Sequence, residues 1–176
     1  MITETKEVVM KRSWMAATAG MAALVLVGTV AVATPGSGVV EAPVLGRGSF
    51  TDNVGIKFTL KKDGGTNVIN AKDPSQAMVQ KVVLGPGGHT GWHTHPGPVV
   101  VVVASGELTY YDADDPTCTG VTYPAGSAFL DPGHGHIHIA RNLSTSDNLV
   151  LYATYFEVPA GQTQRLDAPD PGNCSF

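Results

Sequence analysis

Charged residues are scarce in this sequence, and basic residues form no cluster beyond its N-terminal segment. Only 15% of the 176 residues are charged, and the formal net charge is −4. A protein that binds nucleic acid needs a basic face or stripe to contact the phosphates. The charge pattern therefore argues against a nucleic-acid partner.

Helical periodicity is also missing after the N-terminal segment. Short apolar runs alternate with turn signals instead, and glycine (21 residues) and proline (12 residues) are both frequent. About ten short strands at this spacing indicate an all-β domain, built as a sandwich or as a small barrel. The chain is long enough for a single domain of this kind with its own hydrophobic core.

One long apolar run is present, and it lies at the N-terminus. Lys11 and Arg12 precede the run from Met15 to Ala33, which ends in the A-x-A sequence of a signal-peptide cleavage site. Residues 1–33 are therefore predicted to be an export signal, which implies a secreted, cell-surface or periplasmic protein. The alternative is an uncleaved membrane anchor, because the run is just long enough to span a bilayer. We expect no other contact with a membrane.

Cysteine is nearly absent, since the sequence contains only Cys118 and Cys174. Neither cysteine belongs to a CxxC motif or lies near the histidines in sequence, which argues against a cysteine-ligated metal. In the oxidising compartment that an exported chain enters, a pair of cysteines usually forms a disulfide. We therefore predict a bridge that ties the C-terminal tail to the domain.

The rest of the chain divides into a short connecting segment and one domain. Residues 34–48 are rich in glycine and proline, which predicts a linker or an extended arm. Residues 49–176 are predicted to form the β-domain. Within it, residues 85–88 are a predicted turn. The run Val99–Val103 is apolar at every position, which predicts a central strand buried on both faces.

Histidines cluster twice in this domain. His93 and His95 lie two residues apart in the first cluster, and residues i and i+2 of a strand point to the same face. His136 and His138 repeat this spacing in the second cluster. Two such pairs in a chain with six histidines indicate a transition-metal site.

The histidine clusters resemble the two sequence motifs of the cupin family. The first motif is a glycine, five residues, HxH and a closing glycine, and the second ends in a histidine four residues before an asparagine. The matching positions are Gly87, His93, His95, Gly106, His138 and Asn142. The resemblance covers roughly residues 78–156. It implies an antiparallel jelly-roll β-barrel with a metal inside, held by His93, His95 and His138.

The sequence departs from the family pattern in two places. Many cupins carry a glutamate four residues after the second histidine of the first motif, where this chain has Val99. Without that carboxylate, a three-histidine site leaves several positions open for water or for an anionic, chelating ligand. The second motif is irregular before His138, so His136 and His134 are alternative ligands. We rank His138 first and His136 second.

Other residues near the motifs are expected to support the ligands or to line the pocket. These residues are His89, His134, Tyr110, Phe129 and Asn142. His89 lies in a predicted loop before His93, and we expect it to contact solvent or a ligand residue. His134, in a glycine-flanked loop, would line the entrance to the pocket. Arg141 would either bind a substrate carboxylate or lie on the protein surface, and we favour the interpretation as a surface residue.

The predicted site favours an exported metalloprotein with a small-molecule ligand. Three histidines suit Fe(II), our first choice, and Zn, Mn, Ni and Cu are alternatives. With iron, the resemblance implies an oxidoreductase of dioxygenase type that acts on a small chelating substrate. The alternative is a module that binds a metal or a small ligand without turnover, and a third hypothesis is a barrel without a metal. Resemblance in fold does not choose among these functions. By analogy, residues 49–70 are a candidate edge for a homodimer.

Overall fold

The computed structural model describes residues 32–62, 64–71 and 74–176, in which thirteen strands and no helix are found. The strands are β1 (Ser37–Glu41), β2 (Val44–Ser49), β3 (Ile56–Lys62), β4 (Gly65–Ala71), β5 (Gln76–His89), β6 (His93–Thr94), β7 (Val99–Ser105), β8 (Glu107–Asp112), β9 (Val121–Pro124), β10 (Ala128–Asp131), β11 (His138–Arg141), β12 (Leu149–Phe156) and β13 (Leu166–Asp167). The predicted export signal or anchor, residues 1–33, lies almost wholly outside the described residues. Within the described ranges, no helix is long and apolar enough to cross a membrane.

Eleven of the described strands form one antiparallel sheet that curls into a nearly closed barrel. Its main path runs β10–β7–β12–β5–β11–β6–β13, and β8 pairs with β11 and β9. Side chains of β12 alternate between buried and less buried, as expected when one face of a strand packs inward. The core includes Met78, Leu84, Leu108, Leu149 and Val158. The predicted all-β antiparallel jelly-roll barrel is therefore confirmed.

The valine run of β7 alternates in the same way, so the prediction that both of its faces are buried is wrong. Val99, Val101 and Val103 are buried, whereas Val102 is 41% exposed. In an antiparallel barrel only one face of a strand packs against the core. The apolar side chains on the other face stay partly exposed, which is common on protein surfaces.

The longest strand, β5, contains the predicted turn at residues 85–88. It pairs with β12 over its first half and with β11 at its last residue, His89. The glycine-rich half lies within a strand because β1 pairs on both sides of it, with Ser37 opposite His89 and Val39 opposite Leu84. A register shift between these pairs accommodates residues 85–88. The turn prediction is wrong because pairing with a segment distant in sequence overrides the local glycine signal.

Residues 34–48, predicted to be a linker or an extended arm, pack against the barrel. They contain β1 and most of β2, and both strands pair with β5. Gly91 allows this close approach, since it has a φ of 73° and a Cβ there would lie 2.2 Å from the carbonyl oxygen of Thr34. The linker interpretation is therefore corrected. We call residues 34–49 the arm.

The C-terminal tail, residues 159–176, returns to the barrel at two places. β13 pairs with β6, which sets Asp167 opposite His93. Farther along, the predicted disulfide between Cys118 and Cys174 is present, with Cα atoms 5.3 Å apart. The tail therefore packs beside the strand that carries the first histidine of the predicted site.

β3 and β4 form a separate two-stranded antiparallel sheet. Phe58 of β3 packs on Phe156 of β12, with ring centroids 5.7 Å apart. This hairpin makes up much of the predicted dimer edge, residues 49–70, and the homodimer stays a prediction.

Candidate metal site

Three histidines converge inside the barrel. His93 and His138 are opposite each other on the antiparallel pair β6 and β11, and His95 follows His93 by two residues. Ring centroids lie 4.9 Å apart for His93 and His95, 4.3 Å for His93 and His138, and 5.3 Å for His95 and His138. One nitrogen of each ring lies within 4.8 Å of the others. At this spacing the three rings can share one metal ion.

Hydrogen bonds to backbone carbonyls orient two of these rings. Nδ1 of His93 lies 2.8 Å from the carbonyl oxygen of Gly91, and Nδ1 of His95 lies 2.7 Å from that of Gln164. A carbonyl oxygen only accepts hydrogen bonds, so each Nδ1 carries the proton and donates it. Nε2 of each ring is then unprotonated and free to bind a metal.

The third ring is oriented by a carboxylate. Nδ1 of His138 lies 3.1 Å from Oδ2 of Asp131, but it lacks the alignment of a hydrogen bond and has no other partner in the described chain. Because Nδ1 is turned toward Asp131, Nε2 is the nitrogen left for the other two histidines. Tyr110 stacks on His138, with ring centroids 4.8 Å apart and planes 17° from parallel.

Burial keeps the three histidines neutral. His93, His95 and His138 are 5%, 6% and 4% exposed. The loss of water lowers the pKa of each imidazole, and that of His138 falls to about 4. Neutral imidazole is the form that binds metals, so all three rings are ready to ligate at neutral pH.

His136 belongs to a second cluster. It precedes β11, so it does not share a strand face with His138 as its spacing predicted. Its Nε2 lies 2.8 Å from Oδ2 of Asp112, and its Nδ1 lies 3.4 Å from Oδ2 of Asp131. Hydrogen bonding to Asp131, and then to Asp112, raises the pKa of His136 to about 9. Ligating atoms of Asp131, His136 and His138 also lie within 4.8 Å of one another, but a protonated His136 disfavours a metal there.

Asp131 connects the two clusters, and sequence reasoning did not single it out. Burial alone would raise the pKa of this carboxyl group, but the hydrogen bond with His136 holds it well below its usual range. The Tyr110 hydroxyl donates to Oδ2 at 2.7 Å. An ionised carboxylate therefore lies beside the histidines, although the position of the missing glutamate holds the buried Val99.

Two cavities meet at the histidines. An interior cavity of about 60 Å³ is lined mainly by apolar and aromatic side chains, including the predicted pocket residues Tyr110 and Phe129. A second cavity of about 240 Å³, which we call the outer pocket, has walls from the arm and the tail. His93, His95 and Tyr155 line both cavities. A small molecule in the outer pocket would therefore contact the histidines.

Three other predicted pocket residues do not line these two cavities. The buried side-chain NH2 group of Asn142 lies 2.8 to 3.0 Å from three backbone carbonyl oxygens that share its two hydrogens, so its role is structural. His134 is exposed and pairs with Glu157. His89 is the last residue of β5 rather than a loop residue, and its Nδ1 accepts a hydrogen bond from the amide of Gly91.

Two residues of the tail contribute to the site and were not predicted. The carbonyl of Gln164 accepts the hydrogen bond from His95, and Arg165 lines the outer pocket. The predicted disulfide at Cys174 was a signal that the tail reaches the domain. It gave no information about which tail residues meet the histidines.

Comparisons with known proteins concern the fold. No protein-family model matches the sequence, and no curated protein matches it. Solved structures that the chain resembles include cupin and double-stranded β-helix proteins. One is an uncharacterized conserved protein with a double-stranded β-helix domain from Klebsiella pneumoniae subsp. pneumoniae (22% identity, 52% of this chain and 74% of that chain covered, TM-score 0.43). Others are a cupin domain from Bordetella pertussis (20%, 62% and 99%, 0.41) and a cupin-like protein from Thermotoga maritima (24%, 52% and 65%, 0.43). These values say nothing about function.

Proposed function

We propose that this chain is an exported, metal-binding cupin that acts on a small molecule. His93, His95 and His138 would hold a divalent transition metal, and the outer pocket would take the ligand. The observation that carries the proposal is the group of three buried imidazoles whose Nδ1 atoms face backbone carbonyls or a carboxylate. This arrangement leaves three Nε2 atoms for one ion.

The residues present fit such an ion. Neutral imidazole is a common ligand of iron, zinc, copper and nickel, and a nearby carboxylate favours a cation. A cation on Nε2 of His138 would place the ring's proton on Nδ1, 3.1 Å from Asp131. The negative charge of the Asp131 carboxylate favours a proton at that position, and Nδ1 is a buried atom without an aligned hydrogen bond. The fit therefore rests on an unpaired buried atom as well as on the donor set.

Iron is our first choice of metal, with zinc, manganese, nickel and copper as alternatives. When bound, Fe(II) would supply redox chemistry, whereas Zn(II) would supply Lewis acidity. The chain's own residues would orient the ligand in the outer pocket and exclude water from the apolar interior cavity. The Asp131 carboxylate and the backbone carbonyls of Gly91 and Gln164 would keep the proton of each imidazole on Nδ1.

The finer hypothesis is a dioxygenase-type oxidoreductase that acts on a small chelating substrate. Two observations support it, and both concern open positions for a substrate. Two cavities adjoin the three histidines. In addition, His136 contacts Asp112 and Asp131 and so does not act as a fourth ligand. The alternative is a module that binds a metal or a small ligand without turnover. It is supported by the small interior cavity, about 60 Å³.

Metal content tests the proposal directly. Protein purified after export, without chelators or a His-tag, is expected to contain about one metal ion per chain by mass spectrometry. His95→Ala is expected to lose the metal. His89→Ala, outside the cluster, is the matched control and is expected to keep it.

Iron-loaded protein is then screened for oxygen consumption with diketones, phenols and thiols. The metal proposal fails if the wild type binds no metal even after reconstitution. Full occupancy in His95→Ala would instead contradict the ligand assignment.

Export is a separate part of the proposal. The disulfide between Cys118 and Cys174 supports an oxidising compartment, and so favours a secreted, cell-surface or periplasmic protein. Mass spectrometry of the exported protein is expected to give a mature chain that begins at Thr34. An intact N-terminus in the membrane fraction would favour the anchor instead.

A further inference from the structure

The outer pocket contains the guanidinium of Arg165, whose ion-pair partner Asp167 does not line the pocket. Arg165 lines it together with His93 and His95, and none of the described residues in its wall is acidic. The guanidinium of Arg165 and the two imidazoles therefore face the same cavity.

One nitrogen of this guanidinium has no acceptor. Nε donates to Oδ1 of Asp167 at 2.6 Å, but Nη2 is buried and has no hydrogen-bond partner among the described residues. A buried donor without an acceptor is unfavourable, and more so when it is charged. The planar fork of arginine matches a carboxylate, which accepts two parallel hydrogen bonds. An anionic ligand would supply the missing acceptor.

Other polar side chains of the pocket bond to one another. Oε1 of Gln80 accepts hydrogen bonds from the Tyr155 hydroxyl at 3.0 Å and from Nε2 of Gln164 at 2.9 Å. Nε2 of Gln80 donates to the carbonyl of Ala42 at 2.8 Å. These bonds order one wall of the pocket, so Arg165 is the charged group available to a ligand.

We infer that the outer pocket binds a small organic acid, whose carboxylate pairs with Arg165 while another oxygen of the same molecule faces the histidines. This inference rests on the proposed function and adds the chemical class of the ligand. The pocket volume of about 240 Å³ equals that of roughly eight waters at about 30 Å³ each. It suits a simple keto, hydroxy or aromatic acid.

Arg141 provides a matched control. Its guanidinium carbon lies 3.9 Å from the ring centroid of Phe176, and it does not line the outer pocket. Arg141→Met therefore removes the same charge as Arg165→Met and leaves the pocket intact.

Affinities for an acid and for its neutral amide separate a carboxylate site from an unspecific pocket. Pyruvate with pyruvamide, and salicylate with salicylamide, are titrated calorimetrically into metal-free and zinc-loaded protein. The wild type and Arg141→Met are expected to bind at least one acid tenfold more tightly than its amide in both forms. Arg165→Met is expected to reduce this ratio below threefold, and Arg165→Lys to keep part of it because the charge remains.

Zinc stoichiometry, measured in parallel, separates this inference from the metal proposal. If zinc binds but the acid preference is absent from the wild type, or survives in Arg165→Met, the inference is overturned and the metal proposal stands. If zinc does not bind but the preference depends on Arg165 in metal-free protein, the metal proposal fails and the acid site stands. Should Arg165→Met unfold, Arg165→Lys decides. A ratio between one and that of the wild type supports the inference, and a ratio equal to that of the wild type overturns it.

Discussion

Asp131 joins the two histidine clusters through one carboxylate group. Its Oδ2 lies 3.1 Å from Nδ1 of His138 and 3.4 Å from Nδ1 of His136. A buried carboxylate is stable as an anion only beside a positive charge, and the protonated His136 supplies that charge. The same oxygen then remains available to orient His138 for a metal.

Replacement of Asp131 by Asn is expected to weaken metal binding about 10- to 100-fold, because a ligand histidine loses the anion that orients it. Asp112→Asn is the matched control, since Asp112 contacts His136 and is 38% exposed at its side chain. The control is expected to bind zinc within a few-fold of the wild type in calorimetric titrations. Equal affinities for Asp131→Asn and the wild type would show that the carboxylate does not support the site.

Sequence spacing predicted that His93 and His95 converge, and the resemblance to the two histidine motifs added His138, but neither predicted the partners of these rings. The two-residue period carries over directly to a shared strand face. Asp131 precedes Pro-Gly, which is a turn signal, and a local pattern does not show that its oxygen meets two histidines. Arg165 lies in a tail without periodicity, so its position depends on contacts distant in sequence.

The arm and the tail build the outer pocket, although neither contains one of the two histidine clusters. Gly36, Val39 and Ala42 of the arm line one part, and Gln164 and Arg165 of the tail line another. The barrel strands place the histidines, and these two segments determine what can reach them. The arm and the tail are therefore the elements on which ligand selection depends.

Gly91→Ala is expected to displace the arm. Its Cβ would lie 2.2 Å from the carbonyl oxygen of Thr34, and the positive φ of 73° disfavours alanine by about 1–2 kcal/mol. Gly87→Ala, at a φ of 69° with nothing within 4 Å of its Cβ, carries the φ cost alone. Hydrogen exchange of the β1 amides should therefore accelerate far more in Gly91→Ala. Equal acceleration in both variants would contradict the role assigned to the close contact.

Strands were easier to predict than the pairing between them. The presence of many short strands follows from local apolar runs and turn signals. The arm was interpreted as a linker because its glycines and prolines are local signals, whereas its strands exist through pairing with β5. The same limitation explains the predicted turn at residues 85–88.

At the scale of the whole molecule, the disulfide ties the tail to the loop after β8 across a sequence separation of 56 residues. The chain-entropy model gives about 4 kcal/mol for a loop of this length, as an upper figure. Replacement of both Cys118 and Cys174 by Ser is expected to lower the melting temperature by roughly 8–16 °C at most, at about 2–4 °C per kcal/mol.

Metal content should not change in this double variant, because β13 still pairs with β6. Calorimetry and metal analysis of the same sample check both expectations. An unchanged melting temperature would contradict the stabilising role of the bridge, and a loss of metal would show that the bridge holds the histidines in place.

The titratable groups of the site act on the stability of the whole metal-free protein in opposite directions. The pKa of His138 falls from 6.5 to about 4 through burial, and the pKa values of His93 and His95 are lowered for the same reason. Below about pH 6.5 the unfolded chain binds these protons and the folded protein does not, down to about pH 4 for His138, so stability falls as the pH falls. The pKa of His136 is raised to about 9, first by Asp131 and then by Asp112. Its contribution is complete below pH 6.5 and is lost as the pH rises through 9.

We therefore expect the melting temperature of the metal-free protein to be highest near pH 6.5 and to fall on both sides. Each proton contributes a slope of about 1.4 kcal/mol per pH unit, so the acid side, with three histidines, should be steeper than the alkaline side. His136→Asn should flatten the alkaline side. Zinc should move the acid side to lower pH, because a bound cation competes with protons for His93, His95 and His138. An acid side that zinc leaves unchanged would show that these three rings do not bind the metal, even if the protein contains it.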